Sequence, residues 1–316
     1  MPALDNVGAA IAEVIQPYIE DVVFSDFALL AWMEANGRVM TQDPSLDITW
    51  PITKDKANTG TYRGFYKFPG TEKQVLDKAK VEWKQAYADI AVSAYDALRA
   101  RGVHAAYVLT DALKQNAKMS ISEEMGRQIY ANGQTNMGWD WDGLAVASDD
   151  GTIYPTYAQL PRSAALLPGW NGYNDGLGKP ISFPLWTEAS GFCTFGKTTP
   201  DLAITSQALW NSLHNRAQAQ QIFPAGSSSN QIAAMGFRVV ENMGCSLVHD
   251  AQCSAGTMFG VTTETAEMIV MPDRVWSWSG WEKVPGTDGY QAQFLLMGNF
   301  KFAAPRQLFK LYNLTA

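Results

Sequence analysis

Apolar and polar residues alternate first in DITWPITK, where Ile48, Trp50 and Ile52 fall on one side of an extended chain, because successive side chains of a strand point to opposite faces. A second alternation, KVEWKQAYADIAV, sets Val81, Trp83 and Tyr87 on one face, so both runs predict strands with one apolar side. The stretch between them, KANTGTYRGFYKFPGTEKQVLDKA, is rich in Gly, Lys and aromatics and has no period. Structureless connections longer than about 12–15 residues are uncommon in compact domains and usually functional. We read residues 47–90 as a long two-stranded arm. An isolated hairpin is marginally stable in water, so its aromatic tip, Tyr62, Phe65, Tyr66 and Phe68, needs a surface to lie on.

Helical spacing appears elsewhere. Residues 7–40 read as short amphipathic helices: Ile11, Ile15, Tyr18 and Val22 recur at that spacing, and Pro17 ends one helix and begins the next. From His104 to Tyr130, Leu109, Leu113, Ala117, Ile121, Met125 and Ile129 form a row at four-residue spacing. A helix turns every 3.6 residues, so the row winds around a spine roughly 40 Å long that meets different neighbours along its length. Gly133 and Gly138 lie just past its end, where helices commonly stop. Residues 138–200 are dense in Gly, Pro, Trp and Asn and read as irregular loops with short strands. PDLAITSQALWNSLHNRAQAQQ then reads as a buried strand and a helix opening at Thr205 or Ser206, hydroxyl residues suited to capping. FRVVENMGCSLVHD gives two short strands around Gly244, and the remaining C-terminal third is mostly sheet, which makes the fold class α+β.

Composition adjusts this picture. The 316 residues suffice for a substantial core. The charged share of 17% lies well below the roughly 25% of ordinary soluble domains, while Trp and Tyr are plentiful. Such a chain is expected to have part of its surface covered by partners. A net charge of −7 and a pI near 5.0 argue against a protein that grips phosphate backbones over its whole surface. Three cysteines cannot form a disulfide framework and fit a reducing compartment. The N-terminal segment has no basic region before its apolar residues, unlike a secretory signal, and no apolar run of eighteen residues exists to span a bilayer.

Several clusters carry candidate chemistry. GCSLVHDAQC gathers Cys245, His249, Asp250 and Cys253. Zinc sites usually bring ligands in close pairs such as C-x2-C. Here the spacing is C-x3-H-D-x2-C, and on a strand Cys245, Leu247 and His249 share one face while Asp250 takes the other. The segment reads as a buried strand ending at Asp250, with Cys253 a free thiol in the following turn; a thiol or metal enzyme on these residues is the rival. WDWDG lacks the calcium-loop pattern, and Asp140, Asp142, Asp149, Asp150, Glu123 and Glu124 read as solvated carboxylates. RGFYKF, Arg63 to Phe68, resembles the start of an RNA-binding signature but has Tyr66 where Gly or Ala is required. Basic residues among aromatics also make protein–protein anchors, so Tyr62, Arg63, Phe65, Tyr66, Lys67 and Phe68 are our candidate assembly interface. Trp276, Trp278 and Trp281 could form a sugar-stacking platform, though a core or an interface is the commoner use. No phosphate loop, dinucleotide fingerprint, GxSxG or HExxH occurs, and we expect no catalytic residue, metal or cofactor.

The order of elements, arm, spine helix, loop-rich middle and sheet-rich end, resembles that of the major capsid proteins of tailed bacteriophages, the Hong Kong ninety-seven fold. PDLAITSQALWNSL is similar to the strand and helix of that family's axial domain. GFRVVENMGCSLVHDAQCSAGTMFGVTTET resembles its return into the peripheral domain, and GLAVASDDGTIYPTYAQLPRSAALLPGW the segment after the spine helix. The resemblance implies five regions: an N-terminal helical arm (1–45), an extended hairpin arm (46–92), the spine helix of the peripheral domain (93–137), a mainly axial region (138–235) and a sheet-rich return (236–316). It implies a structural protein, not an enzyme, that assembles with itself into hexamers and pentamers of an icosahedral shell around double-stranded DNA, without sequence-specific contact and with no membrane partner. It further implies portal and decoration proteins, a virion location and assembly in the host cytoplasm. Only a short arm precedes the first strand, so scaffolding is expected to be separate or unneeded, or the chain to be a processed form, which its initial Met disfavours. Some family members join an arm Lys to a neighbour's Asn; here Lys67, Lys73, Lys78 and Lys80 lie in the arm, and Asn299 and Asn313 near the C-terminal sheet. A shell of the same fold around protein cargo, or a Trp-rich carbohydrate-binding β protein, are the alternatives.

Overall fold

Two six-stranded sheets, each drawing strands from distant parts of the sequence, organise the computed structural model. It describes residues 27–43, 45–55, 57–68, 70, 72, 74–95, 113, 116–117, 119–121, 123–134, 136–162, 169–176, 178–219 and 237–316. Helix α1 (Ala28–Ala35) leads to β1 (Val39–Thr41), the paired strands β2 (Ile48–Thr53) and β3 (Leu76–Val81), and β4 (Lys84–Ser93). The described residues from 113 to 129 are helical. Next come α2 (Leu144–Ala147), β5 (Thr156–Tyr157), β6 (Leu160–Pro161), β7 (Tyr173–Asp175), α3 (Phe183–Cys193), β8 (Leu202–Thr205) and α4 (Gln207–Ala219). The chain closes with β9 (Val240–Asn242), β10 (Cys245–His249), β11 (Met258–Val261), β12 (Ala266–Val270), β13 (Ser277–Trp278), β14 (Glu282–Lys283), β15 (Gly289–Phe302) and β16 (Phe309–Leu311).

The first sheet is built on β15. One of its edges pairs with β4 from Gly289↔Ser93 to Gly298↔Lys84, and the other takes β14, β13 and β12 in turn. Strand β1 adds in parallel beyond β12. The spine helix covers one face. Its predicted row is visible as buried Ala117, Ile121, Met125 and Ile129, with Leu113 packed at the margin; Leu109 and the first part of the predicted helix lie outside the described residues. The helix ends against Gly143, where an added Cβ would strike the carbonyl oxygens of Gln128, Ile129 and Ala131. Only glycine permits that approach.

The second sheet runs β7-β16-β11-β8-β10-β9 and has a core on each face. Leu202, Ile204, Val248, Phe259 and Val261 join the large cluster shared with the spine helix, where Tyr130 stacks on Phe259 with ring centroids 5.7 Å apart. Ala203, Cys245, Leu247, Met258, Phe309 and Leu311 point the other way, against Trp186, Leu209 and Leu213 of α3 and α4. Gly260 matters here because a Cβ on it would overlap the buried Phe309 ring of the neighbouring strand.

The structure departs from several expectations. The helical reading of residues 7–40 holds at Ala28–Ala35 but not at Val39–Thr41, which pair as a strand; residues 1–26 lie outside the described set. Val81, Trp83 and Tyr87 do not share a buried face: a break at Glu82–Trp83 resets the alternation, so Ala86, Ala88, Ile90 and Val92 turn inward and Tyr87 outward. The hairpin pairs Ile48–Thr53 with Leu76–Val81, while β4 belongs to the first sheet. The loop-rich stretch 138–200 contains the helix α3, capped by the Ser182 hydroxyl, which accepts from the Leu185 amide at 3.4 Å. Helix α4 starts where expected, but the Ser206 hydroxyl has no hydrogen-bond partner among the described residues, and Thr205 Oγ1 donates to the Thr257 carbonyl at 2.9 Å.

Gly260→Ala forces the Phe309 ring aside in a close-packed core and should cost about 1–3 kcal/mol; urea unfolding of the unassembled subunit measures it, with a lower midpoint at an unchanged slope expected.

Candidate assembly interface

The arm is fastened at its base. Alternation along β2 buries Ile48, Trp50 and Ile52, and Ala79 and Val81 of β3 complete an apolar underside joined to the large core. Lys301 Nζ sits 5.6 Å from the Trp50 ring centroid, the Lys80 amide donates to the Ala158 carbonyl at 3.0 Å, and Lys80 Nζ pairs with Asp47 at 2.8 Å. Trp83 Nε1 donates to the Ser45 carbonyl at 2.9 Å. These contacts hold the hairpin in one direction.

Beyond Thr53 and Leu76 this support ends. Residues 60–68 form no strand, and among the described residues they make no backbone–backbone hydrogen bond. Gly64, at φ +72°, turns the chain. Tyr62, Phe65, Tyr66 and Phe68 are 62%, 112%, 53% and 64% exposed. Three of the rings touch at the tip itself: Tyr62 and Tyr66 each meet Phe68 edge-on, with centroids 5.1 and 5.7 Å apart. Arg63 and Lys67 are exposed in the same segment. Covering a fully exposed ring of this size is worth about 1.5–3 kcal/mol. Several together form an exposed apolar patch whose covering would be worth correspondingly more.

The other candidates do not converge in this way. Cys245 and Cys253 lie in different cores, on opposite sides of the second sheet. All three cysteines are buried and free, and burial raises their thiols well above the usual range, Cys193 to about 12. Asp250 accepts a 2.8 Å hydrogen bond from the Tyr130 hydroxyl and a 2.9 Å bond from the Gln252 amide, so it closes the turn after β10. His249 packs its ring 5.6 Å from Trp210. No group of three or more His, Cys, Asp or Glu among the described residues could hold a metal ion.

Two carboxylates read as solvated are instead buried. Asp140 takes a two-pronged hydrogen bond from Arg127, at 2.8 and 3.0 Å, and Arg127 also grips Glu124. Asp149 accepts from the amides of Gly151, Ile153 and Tyr154 and from Asn174. Both are structural: one ties the spine helix to the loop beyond it, the other closes a turn. The sugar-platform alternative loses Trp276, which is buried in the core, and Trp281 packs partly against the same core. Asn299 is fully buried, donating to the Glu82 carbonyl and Asp142, so a neighbour's Lys cannot reach it.

No protein-family model and no curated protein sequence matches the chain. Solved structures do. The chain superposes on the capsid asymmetric unit of cyanophage A-1(L) with a TM-score of 0.71 at 12% identity, covering 92% of this chain and 93% of that one. The chain has the phage capsid fold. The capsid of an empty GTA particle matches with a TM-score of 0.57 at 10% identity, over 89% and 96% of the two chains. The holo-SrpI encapsulin complex from Synechococcus elongatus PCC 7942 matches at 0.50 and 8% identity, over 89% and 87%. Within the phage capsid fold, the exposed tip stands on a hairpin that leaves the body between β1 and β4, and no described helix is long and apolar enough to cross a membrane.

Burial raises the Asp250 carboxyl above its ordinary value, against the opposing pull of the Gln252 and Tyr130 hydrogen bonds. The folded state then binds that proton more tightly than the unfolded state does. The matching stability is fully present below the unfolded value, near 3.8, and is lost as pH rises through the folded one. Asp250→Asn, which keeps the Tyr130 contact, should therefore gain on the natural protein as pH rises from about 4 to 7. Thermal melts of unassembled subunits across that range provide the check.

Proposed function

We propose that the chain is the major capsid protein of a tailed phage, a structural subunit that closes with copies of itself into an icosahedral shell around double-stranded DNA. One observation carries the reading: the arm ends in exposed rings, among them a fully exposed Phe65, whose apolar surface has no cover in the chain's own described body. Symmetric repetition supplies the cover, since every copy both offers an arm and receives one. The phage capsid fold at a TM-score of 0.71 supports the same reading. So does the net charge of −7, because a wall that bound phosphate strongly would hinder packing and release of DNA.

The role is structural and needs no cofactor, and no membrane takes part. Hexamers and pentamers of this subunit form the shell; a separate scaffolding protein, a portal and decoration proteins are its further partners. The particle is a virion component assembled in the host cytoplasm. The second reading, a shell around protein cargo, draws on the likeness to the encapsulin complex at a TM-score of 0.50. The contents of the purified particle decide between the two: nuclease-protected DNA, or a packaged protein.

Replacing Phe65, Tyr66 and Phe68 together by Ser should leave the subunit folded, with an unchanged circular dichroism spectrum, while particles seen by electron microscopy fall at least about tenfold. Particles formed at the natural yield would remove the arm from the assembly contact.

A further inference from the structure

The ladder between β15 and β4 stops at Gly298↔Lys84, although β15 runs on to Phe302. The amide of Ala94 donates to the Asp288 carbonyl at 3.0 Å, which fixes the parity: even-numbered residues of the two strands turn their backbone groups toward each other. The opposite edge of β15 agrees, because the Ala303 amide donates to Thr265 and the Met271 amide to Met297, so its odd-numbered residues serve β12 and its neighbours. Continued without interruption, the same register would set Glu82 against Phe300 and Lys80 against Phe302, with hydrogen bonds closing both pairs. Instead the chain from Val81 back to Leu76 leaves as β3, the second strand of the arm.

Both missing rungs are occupied by other groups. At the first, the Asn299 side chain lies between the strands: its Oδ1 accepts from the Phe300 amide at 2.8 Å, and its Nδ2 donates to the Glu82 carbonyl at 2.9 Å. In a closed rung that amide would reach that carbonyl directly. Asp142 completes the insertion, its amide donating to Asn299 Oδ1 and its Oδ2 accepting from Nδ2, each at 2.9 Å, so every donor and acceptor of the Asn299 side chain is used. At the second rung the β5–β6 hairpin enters. The Tyr157 hydroxyl accepts from the Phe302 amide at 3.0 Å, while the next residue, Ala158, offers its carbonyl to the Lys80 amide, also at 3.0 Å. Ala158 and Gln159 turn this hairpin at φ 51° and 61°, a conformation that Asn-Gly adopts more easily. Such a strained turn persists where its surroundings hold it.

We propose that Asn299 and the β5–β6 hairpin form a wedge that holds two rungs of the sheet open and so turns the chain out as an arm; with the wedge withdrawn, the rungs close and the base of the arm is drawn back along β15. This rests on the reading of the arm as an assembly contact and adds the device that sets its direction. Phe300 and Phe302 are each 1% exposed, so their amides have no water to turn to, and a buried amide left without an acceptor is costly. Once the inserted oxygens are removed, the carbonyls of Glu82 and Lys80 are the acceptors that the register of Lys84 and Gly298 brings opposite them. Apolar contacts at the base, Trp50 and Val81 among them, keep the arm near the body without fixing its angle, because burial is non-directional. The inserted hydrogen bonds fix it.

Arm position in the unassembled subunit is the test. Spin labels on Thr53→Cys, at the far end of β2, and Lys283→Cys, on β14, report one distance, since the natural thiols are buried. Asn299→Val together with Tyr157→Phe removes both inserted acceptors, and Tyr157→Phe keeps the ring that stacks on Trp170. Expected are a shifted distance, hydrogen exchange of the Phe300 and Phe302 amides as slow as in the natural protein, and a particle yield at least about tenfold lower, because only subunits with the arm turned out are competent to assemble. A distance distribution equal to the natural one, or fast exchange at both amides, overturns the wedge. Tyr157→Phe alone guards against a double variant that does not fold: it removes the acceptor at the second rung only and should move the distance in the same direction by less, whereas no movement overturns the wedge as well. A shifted distance with particles at the natural yield would leave the wedge standing and remove the arm from the assembly contact instead.

Discussion

The fourteen residues from Gly289 to Phe302 divide their backbone groups by parity, even-numbered ones to β4 and odd-numbered ones to β14, β13 and β12. A strand offers hydrogen bonds alternately to its two sides, so one long strand can hold two different sets of partners only if both keep register with it. That constraint places the base of the arm, the spine helix and the returning C-terminal chain around a single axis. It also fixes which face of β4 meets the spine helix and which edge has no partner strand among the described residues. Slipping β4 by one residue would turn Ala86, Ala88, Ile90 and Val92 outward and bury Gln85 and Asp89.

Support and exposure are separated along the arm. Its base is held by Trp50, Ala79 and Val81 in the core and by the Lys80 contacts to Asp47 and Ala158. Its tip has exposed rings and a backbone without hydrogen bonds to any described body beneath it. A rigid stalk with an uncovered end loses little orientational freedom on docking, which is how a small contact repeated by symmetry can hold a large assembly.

Much of this was legible in the sequence where period and turn chemistry agreed. Ile48, Trp50 and Ile52 announced a strand, the row from Ala117 to Ile129 a buried helix face, and Gly244 the turn between two strands, realised with Met243 and Gly244 both at positive φ. The exposed tip was legible as aromatics without a period. Other features were not. The two-residue break at Glu82–Trp83 reverses the buried face, and no local pattern marks it because alternation continues on either side. Helix α3 was hidden by its Pro184 and Gly191, which read as loop residues although the Pro lies in the first turn, where a missing N–H costs nothing. The burial of Asp140 and Asp149 depends on partners thirteen and twenty-five positions away, Arg127 and Asn174, which charge counting cannot supply.

The second sheet has a further implication. Leu202, Ala203, Ile204 and Thr205 are all buried because α4 and α3 lie on one side of their strand and the spine helix on the other. A strand with water on one face can vary every second residue freely. These four positions have no idle side, so drift in this wall must be compensated at consecutive residues, and its sequence should change more slowly over generations than the surroundings that face solvent.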